Sequence, residues 1–267
     1  MKDSLRDIRL LDDLARRQNP INKLHPLVKL LTTIIYLAVV VSFGRYEISA
    51  LLPLIFYPVV VFALAELAPG RILRRIAWVM PLVIGIGIFN PVFDHQTVTI
   101  MNSTISKGWL SFISLVIKCV LTVAAGILLV ATTGMEKLGA AMRIIGVPKI
   151  MVLQLLLTYR YILLLGDELA RMLRAYSLRA PGHRGIKLAA WGSFAGSLLL
   201  RSFDRAQRVY AAMCLRGFKG DYNTGDDAKV GVRDLQFLIG WVAFFLITRS
   251  YNLPFLLGSF LTGVIGQ

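Results

Sequence analysis

Long apolar stretches constrain the fold of this chain more than any other feature of its sequence. Hydrophobic residues make up 56% of its 267 residues, and a helix needs about 20 mostly apolar residues to cross a bilayer. Four such stretches cover residues 27–43, 47–67, 76–93 and 109–132, and two shorter ones cover 235–247 and 253–265. The last pair forms two spans, or one span and a re-entrant segment. We therefore predict an all-α, polytopic membrane protein with five or six transmembrane helices, and the sequence has no β-hairpin signal of note.

The charge of the chain alternates between successive loops. Basic residues are frequent before the first span, whereas the first loop has only Arg45 and the third only Lys107. Residues 133–234 hold 16 basic residues against eight acidic ones. Basic residues favour the cytoplasmic side of short loops, so we predict that the N-terminus and residues 133–234 are cytoplasmic. The same rule accounts for the net charge of +15 without a nucleic-acid partner, and none is expected.

Three parts follow from this pattern. Residues 1–132 form an N-terminal membrane part with four spans, residues 133–234 a block of cytoplasmic helices, and residues 235–267 the C-terminal membrane helices. Pro148 suits the start of a long helix that runs to about residue 180, because its missing N–H costs nothing there. A second long helix is predicted from 186 to 217. Small residues let helix backbones approach, so Gly192 and Gly196 predict a close crossing of the two helices, with ordinary packing as the alternative.

These two long helices end in the same way. One closes with Leu178, Arg179 and Ala180, and the other closes with Leu215, Arg216 and Gly217. An offset of 37 residues also places Asp167 on Asp204 and Arg171 on Arg208. The sequence therefore contains an internal repeat, which suggests two equivalent sites for two equivalent partners.

The repeated arginines have the chemistry of a docking group. Arginine presents five donors in a rigid fork that matches a carboxylate, so each helix end fits a groove with an apolar wall and an acidic floor. A single terminal arginine often only complements the helix dipole, but that reading does not explain two matched copies. Asp167 with Arg171 and Asp204 with Arg208 are predicted i,i+4 pairs that stiffen the helices by tenths of a kcal/mol.

Several kinds of chemistry have no sequence signature in this chain. It lacks a P-loop for ATP and a Gly-x-Ser-x-Gly nucleophile elbow. His25, His95 and His183 are too dispersed to suggest a metal site, so no metal site, catalytic residue or cofactor is predicted. Lys118 is the one charge near the middle of a span, and it is either functional or a side chain facing a polar interior.

The chain resembles the transmembrane T component of energy-coupling factor transporters, which are importers of the ATP-binding-cassette class, and most of all the cobalt/nickel branch. The resemblance covers nearly the whole chain. Its most specific stretch is RSFDRAQRVYAAMCLRGF, residues 201–218.

The resemblance implies a non-catalytic coupling subunit in a bacterial or archaeal cell membrane. Its partners would be two ABC-type ATPase subunits, which bind ATP and Mg²⁺, a substrate-binding membrane subunit and the lipid bilayer. Arg179 and Arg216, within their tripeptides, would dock into the ATPases. Many members of the family have Ala-Arg-Gly there, whereas both tripeptides here begin with Leu. The motif before the first span also departs, with His25 and Leu27 where the family usually has Asp and Arg.

Two other functions remain open from the residues alone. An autonomous permease or channel, driven by a gradient and not by ATP, would transport by itself and would use Lys118. An integral-membrane enzyme would need a nucleophile or a metal cluster in the cytoplasmic block, where none is recognised.

Overall fold

The computed structural model describes residues 15, 19–66, 69–89, 91, 97–100, 103–179, 188–220 and 230–250. The following account concerns these residues. Ala180, His95, His183 and the predicted last span, 253–265, lie outside them.

The described chain is almost entirely helical. Its membrane part contains α1 (Pro26–Ser42), α2 (Ile48–Leu51), a 3-10 turn (Leu52–Ile55), α3 (Phe56–Leu64), α4 (Pro69–Gly87), β1 (Thr97–Ile100), β2 (Ser103–Ser106) and α5 (Lys107–Thr133). The helices that follow are α6 (Met135–Ile144), α7 (Lys149–Arg179), α8 (Leu188–Leu215) and α9 (Val232–Ser250). The prediction of an all-α polytopic membrane protein is confirmed.

The chain divides into two compact units, described separately here. The membrane unit contains residues 15–134 and 230–250, and the second unit contains residues 135–179 and 188–220. Among the described helices, α5 and α7 are long and apolar enough to cross a bilayer, and α1 and the segment Ile48–Leu64 are shorter apolar helices.

An aromatic cluster forms the core of the membrane unit. Tyr36 of α1 is fully buried, and its ring centroid lies 4.6 Å from that of Tyr57 and 5.3 Å from that of Phe245. Trp241 meets Tyr57 edge to face at 4.9 Å, an arrangement that aromatic quadrupoles favour. The cluster joins α1, α3 and α9, which are distant in sequence.

The predicted second span, 47–67, is not one continuous helix. It consists of α2, the 3-10 turn and α3. Proline lacks the N–H of a helical hydrogen bond, and Pro53 lies at the start of the 3-10 turn while Pro58 lies in the first turn of α3. Pro81, by contrast, lies within α4, which continues to Gly87.

Two lysine side chains form hydrogen bonds with backbone carbonyls at the ends of membrane helices. Lys29 is 4% exposed, and its Nζ donates to the carbonyl of Thr132 at the end of α5 (2.9 Å). Lys118 Nζ donates to the carbonyl of Phe43 (2.6 Å) just beyond α1. Because the last carbonyls of a helix lack helical partners, both lysines cap helix C-termini.

A short hairpin interrupts the helical pattern. Strands β1 and β2 pair antiparallel, with Thr97 opposite Ser106 and Ile100 opposite Ser103. No β-hairpin signal of note is recognisable in this stretch of the sequence. The β-branched residues of Thr97–Ile100 suit a strand, but four residues are too few for the alternation of polar and apolar residues to be recognised.

Candidate functional site

The first predicted docking end is the C-terminus of α7. Arg179 is the last residue of the helix and is exposed. Leu178, beside it, is 78% exposed, although leucine is normally buried. The helix end thus presents an apolar side chain and a cation to its surroundings.

The second predicted docking end has a defined cap. Gly217 has a φ of +79°, its N–H donates to Cys214 O (3.0 Å), and the N–H of Phe218 donates to Met213 O (3.0 Å). These two bonds form a Schellman motif, in which Arg216 is the C-cap residue that follows α8. Leu215 is 90% exposed. The glycine of this tripeptide therefore has a backbone role, which the sequence prediction did not assign to it.

Helices α7 and α8 pack antiparallel. The Tyr176 ring meets that of Phe194 at 5.4 Å, and Arg201 Nη1 lies 2.6 Å from Glu168 Oε1. The later residue of α7, Tyr176, thus contacts the earlier residue of α8, Phe194, so the two helices run in opposite directions. Arg179 and Arg216 consequently lie at opposite ends of the pair, on the order of 40 Å apart at a rise of ~1.5 Å per residue.

An acidic clasp joins the two helices between their ends. The Glu168 carboxylate pairs with Arg171 of its own helix and with Arg201 of α8. Its side chain is 13% exposed, whereas each arginine is 60% exposed. The hydrogen bonds from Arg171 and then Arg201 hold the pKa of the Glu168 carboxyl below its usual value. We call this triad the Glu168 clasp.

A groove lies beside each arginine. The groove at Arg179 has a volume of about 620 Å³ and contains the Glu168 clasp. The groove at Arg216 has a volume of about 800 Å³. Its lining consists of Leu157, Arg160, Tyr161 and Leu164 of α7 with Arg205, Val209, Ala212, Met213, Arg216, Gly217 and Phe218. We call this second one the basic groove.

The predicted i,i+4 pairs differ from the observed ion pairs. Arg171 is bonded to Glu168, while the charge of Asp167 makes a smaller favourable contribution to it. Asp204 and Arg208 are both described, and no ion pair joins them. The residue that joins α7 to α8 is Glu168, 33 positions from Arg201.

The predicted glycine crossing does not occur at the α7–α8 contact. A Cβ built on Gly192 or Gly196 would meet nothing within 4 Å among the described residues. Phe194 and Arg201 contact α7 instead. Small residues permit a close approach but do not require one.

No metal-binding group is evident in the part of the chain that the structure describes. None of its His, Cys, Asp and Glu residues form a group of three or more that could hold a metal ion. His25, the one described histidine, accepts a hydrogen bond from the N–H of Leu27 through Nδ1 (3.2 Å) and so caps α1. Its backbone N–H donates to Asp234 (2.9 Å).

Comparison with known proteins gives one family and two relatives. The family model described as CbiQ, cobalt transport protein, matches residues 17–225. An uncharacterised protein of Methanocaldococcus jannaschii is 24% identical over 227 residues, which cover 79% of this chain and 76% of that protein. The nickel permease LarQ of Lactiplantibacillus plantarum is 29% identical over 117 residues, which cover 42% of this chain and 43% of LarQ.

Proposed function

The chain belongs to the CbiQ cobalt transport protein family, and from this premise we propose that it is the membrane-embedded coupling subunit of an energy-coupling factor importer. In this proposal two ABC-type ATPase subunits bind Mg²⁺ and hydrolyse ATP. The chain is non-catalytic and transmits their motion to a substrate-binding membrane subunit. The observation that carries the proposal is the pair of exposed Leu-Arg helix ends at opposite ends of the α7–α8 pair.

Each helix end suits a groove on an ATPase subunit. Complete burial of an exposed leucine contributes about 1.5–3 kcal/mol, and a hydrogen bond from arginine to a carboxylate about as much. Leu178 and Leu215 supply the apolar contact, and Arg179 and Arg216 supply the cation. One subunit would bind each end, because about 40 Å of helix separates them.

The two helices can transmit force because they are held together. Helix α7 has 31 residues and α8 has 28, which makes each on the order of 40–45 Å long. The Glu168 clasp and the Tyr176–Phe194 contact join them away from the arginine ends. A displacement of one docked end would therefore move both helices.

We propose cobalt or nickel ion as the transported substrate. The family description and the name of the relative LarQ support this choice. The ion would bind in the separate substrate-binding subunit, and this chain would lie in a bacterial or archaeal cell membrane with its N-terminus in the cytoplasm.

Charge reversal at the helix ends tests the coupling role. We expect Arg179→Glu and Arg216→Glu each to weaken co-purification of the ATPase subunits and to abolish uptake of radioactive nickel or cobalt by cells. The new glutamate would face the acidic groove of the ATPase subunit, whose carboxylate would lose its arginine. Loss of one partner of a buried ion pair costs about 3–5 kcal/mol of binding free energy.

Arg174→Glu is the matched control, because Arg174 is also exposed on α7 but lines neither groove. Membrane insertion and thermal stability should be unchanged in all three variants. Normal uptake and normal ATPase co-purification in both helix-end variants would refute the proposal.

Reconstitution distinguishes this function from an autonomous permease. We expect liposomes that contain the chain alone to take up no nickel or cobalt, because the proposed energy source lies in other subunits. Lys118, which a permease would use, already bonds to the carbonyls of Phe43 and Gly44. Gradient-driven uptake by the chain alone, lost in Lys118→Met, would favour the permease.

A further inference from the structure

The basic groove has a positive charge that no described residue of its lining balances. Among the residues that the structure describes, its lining contains Arg160, Arg205 and Arg216 and no carboxylate. These three guanidinium groups form no ion pair with any residue in the described ranges. The groove at Arg179 differs, because Glu168 lies in it and binds Arg171 and Arg201. Within the described part of the chain, the basic groove therefore has the charge of an anion-binding surface and lacks an acidic side chain.

The walls of the basic groove are apolar. Leu157 and Leu164 of α7 face Val209, Met213 and Phe218 of the α8 segment. The stretch of α7 that contributes to this wall belongs to its apolar half, and α7 meets the length and hydropathy requirements of a bilayer span. A ligand that satisfies the whole groove must combine a negative head with an apolar body.

We propose that the basic groove binds an anionic phospholipid. The phosphate accepts hydrogen bonds from the arginine forks, which match phosphate oxygens in geometry, and the acyl chain lies along the apolar wall. Basic pockets of this kind between helices on the cytoplasmic side bind anionic headgroups. A volume of about 800 Å³ accommodates the headgroup and the first part of a chain.

A lipid would satisfy both the basic and the apolar parts of the groove, whereas a free anion would satisfy only the basic part. A soluble phosphate would satisfy the arginines and leave the five apolar side chains in water. An acidic segment of a partner protein is the other candidate occupant, and it would bind without any dependence on lipid composition. The lipid proposal does not rest on the coupling role, but the two share Arg216, which lines the groove and belongs to a proposed docking end. The test therefore substitutes Arg160 and Arg205 and leaves Arg216 unchanged.

Lipid retention by the purified chain tests the proposal. The protein is extracted from vesicles of phosphatidylcholine with added phosphatidylglycerol, and native mass spectrometry counts the lipids that stay bound. We expect wild type to retain phosphatidylglycerol selectively, and the double variant Arg160→Gln/Arg205→Gln to lose about tenfold or more of this selectivity. Higher salt should weaken retention.

The double variant Arg174→Gln/Arg208→Gln is the matched control, because it also removes two exposed cations but neither residue lines the groove. Ala212→Glu is a second test, since it keeps every arginine and adds a carboxylate to the groove. We expect the control to retain the lipid as wild type does and Ala212→Glu to lose it.

Three results would overturn the proposal. One is equal retention of the two lipids by wild type, and another is an equal loss of selectivity in the control. The third is displacement of the lipid by the water-soluble headgroup glycerol phosphate at matched concentration, which would assign the groove to a free anion. If the first result is accompanied by loss of ATPase co-purification in Arg160→Gln/Arg205→Gln, the groove binds a protein partner and not a lipid.

Discussion

His25 caps a helix in a position where the resembling family usually has aspartate. An N-cap side chain must accept a hydrogen bond from the first turn, and the unprotonated Nδ1 of His25 accepts one from Leu27. Pro26 follows at the first helical position, where its fixed φ suits the helix. The departure from the family pattern therefore changes the capping group and keeps the cap.

Substitution of His25 tests this role. We expect His25→Ala to destabilise the protein by about 1 kcal/mol, because the N–H of Leu27 loses its acceptor. His25→Asn should be close to wild type, since it supplies an acceptor and adds no charge beside Asp234. Thermal unfolding in detergent measures both, and equal stability of the Ala and Asn variants would contradict the capping role.

Two glycines of the same helix region should respond to alanine with opposite signs. Gly217→Ala should cost about 1–2 kcal/mol, because φ is +79° and the left-handed conformation is strained for a residue with a Cβ. Gly196→Ala should stabilise by about 0.5–1 kcal/mol, because it lies within α8 and a Cβ there meets open space.

Thermal unfolding of the two variants in parallel gives the comparison. Destabilisation by Gly196→Ala would mean that this glycine lies at a helix crossing, as the Gly192 and Gly196 pattern predicted. Stability of Gly217→Ala equal to wild type would contradict the strained cap.

Local patterns revealed the helix ends, but not the contact between the helices. Leu178, Arg179, Leu215 and Arg216 are adjacent in sequence to a helix stop, so their exposure at helix ends could be expected. Glu168 and Arg201 are 33 residues apart, and no sequence period relates them. The choice of Glu168 over Asp167 depends on which side of α7 faces α8, and that is a property of the packed pair.

At the scale of helices, the Glu168 clasp determines how firmly α7 and α8 are joined. We expect Glu168→Gln to loosen the pair at neutral pH, because it leaves Arg171 and Arg201 without their carboxylate. Faster amide hydrogen exchange in α8 would show this. The matched control Asp204→Asn also removes an acid from the pair, but one that forms no ion pair among the described residues, and its exchange should be unchanged.

The clasp also has a defined pH dependence. The pKa of Glu168 is below its usual value of 4.5, so its contribution is complete above that value and is lost as the pH falls through the lower, folded-state pKa. The difference between wild type and Glu168→Gln should therefore vanish in strong acid. A difference in exchange that persists there would exclude the carboxylate as its cause.

The elements themselves were predictable to differing degrees. The first span was expected at 27–43 and α1 covers Pro26–Ser42, because a continuous apolar run leaves little choice. The second span was expected to be continuous, yet Pro53 and Pro58 divide it. Hydrophobicity predicts that a segment lies in the membrane but not which backbone hydrogen bonds it forms. The short hairpin was missed for the same reason.

For the whole molecule, the alternation of charge predicts which side of the membrane each part occupies. Cys214 is exposed on α8, so with Cys119 replaced by serine it should react with a membrane-impermeant thiol reagent in inside-out vesicles and not in intact cells. A cysteine placed at Ser103 in the hairpin, in a chain without other cysteines, should react in intact cells. The reverse labelling pattern would invert the predicted orientation.

The antiparallel packing of α7 and α8 changes the meaning of the internal repeat. Residues of α7 correspond to the residues 37 positions later, in α8. Glu168 therefore corresponds to Arg205, and Arg201 corresponds to Leu164. Glu168 contacts Arg201, and Arg205 and Leu164 line one groove together. Packed in this way, the two copies of the repeat, α7 and α8, are related by a half-turn about an axis near Gly166 and Phe203. Two copies of one protein also pair by a half-turn in most dimers. The proposed docking role would therefore place two matching Leu-Arg helix ends in a pseudo-twofold arrangement, which would suit the two halves of a symmetric partner, although the grooves beside those ends differ in charge.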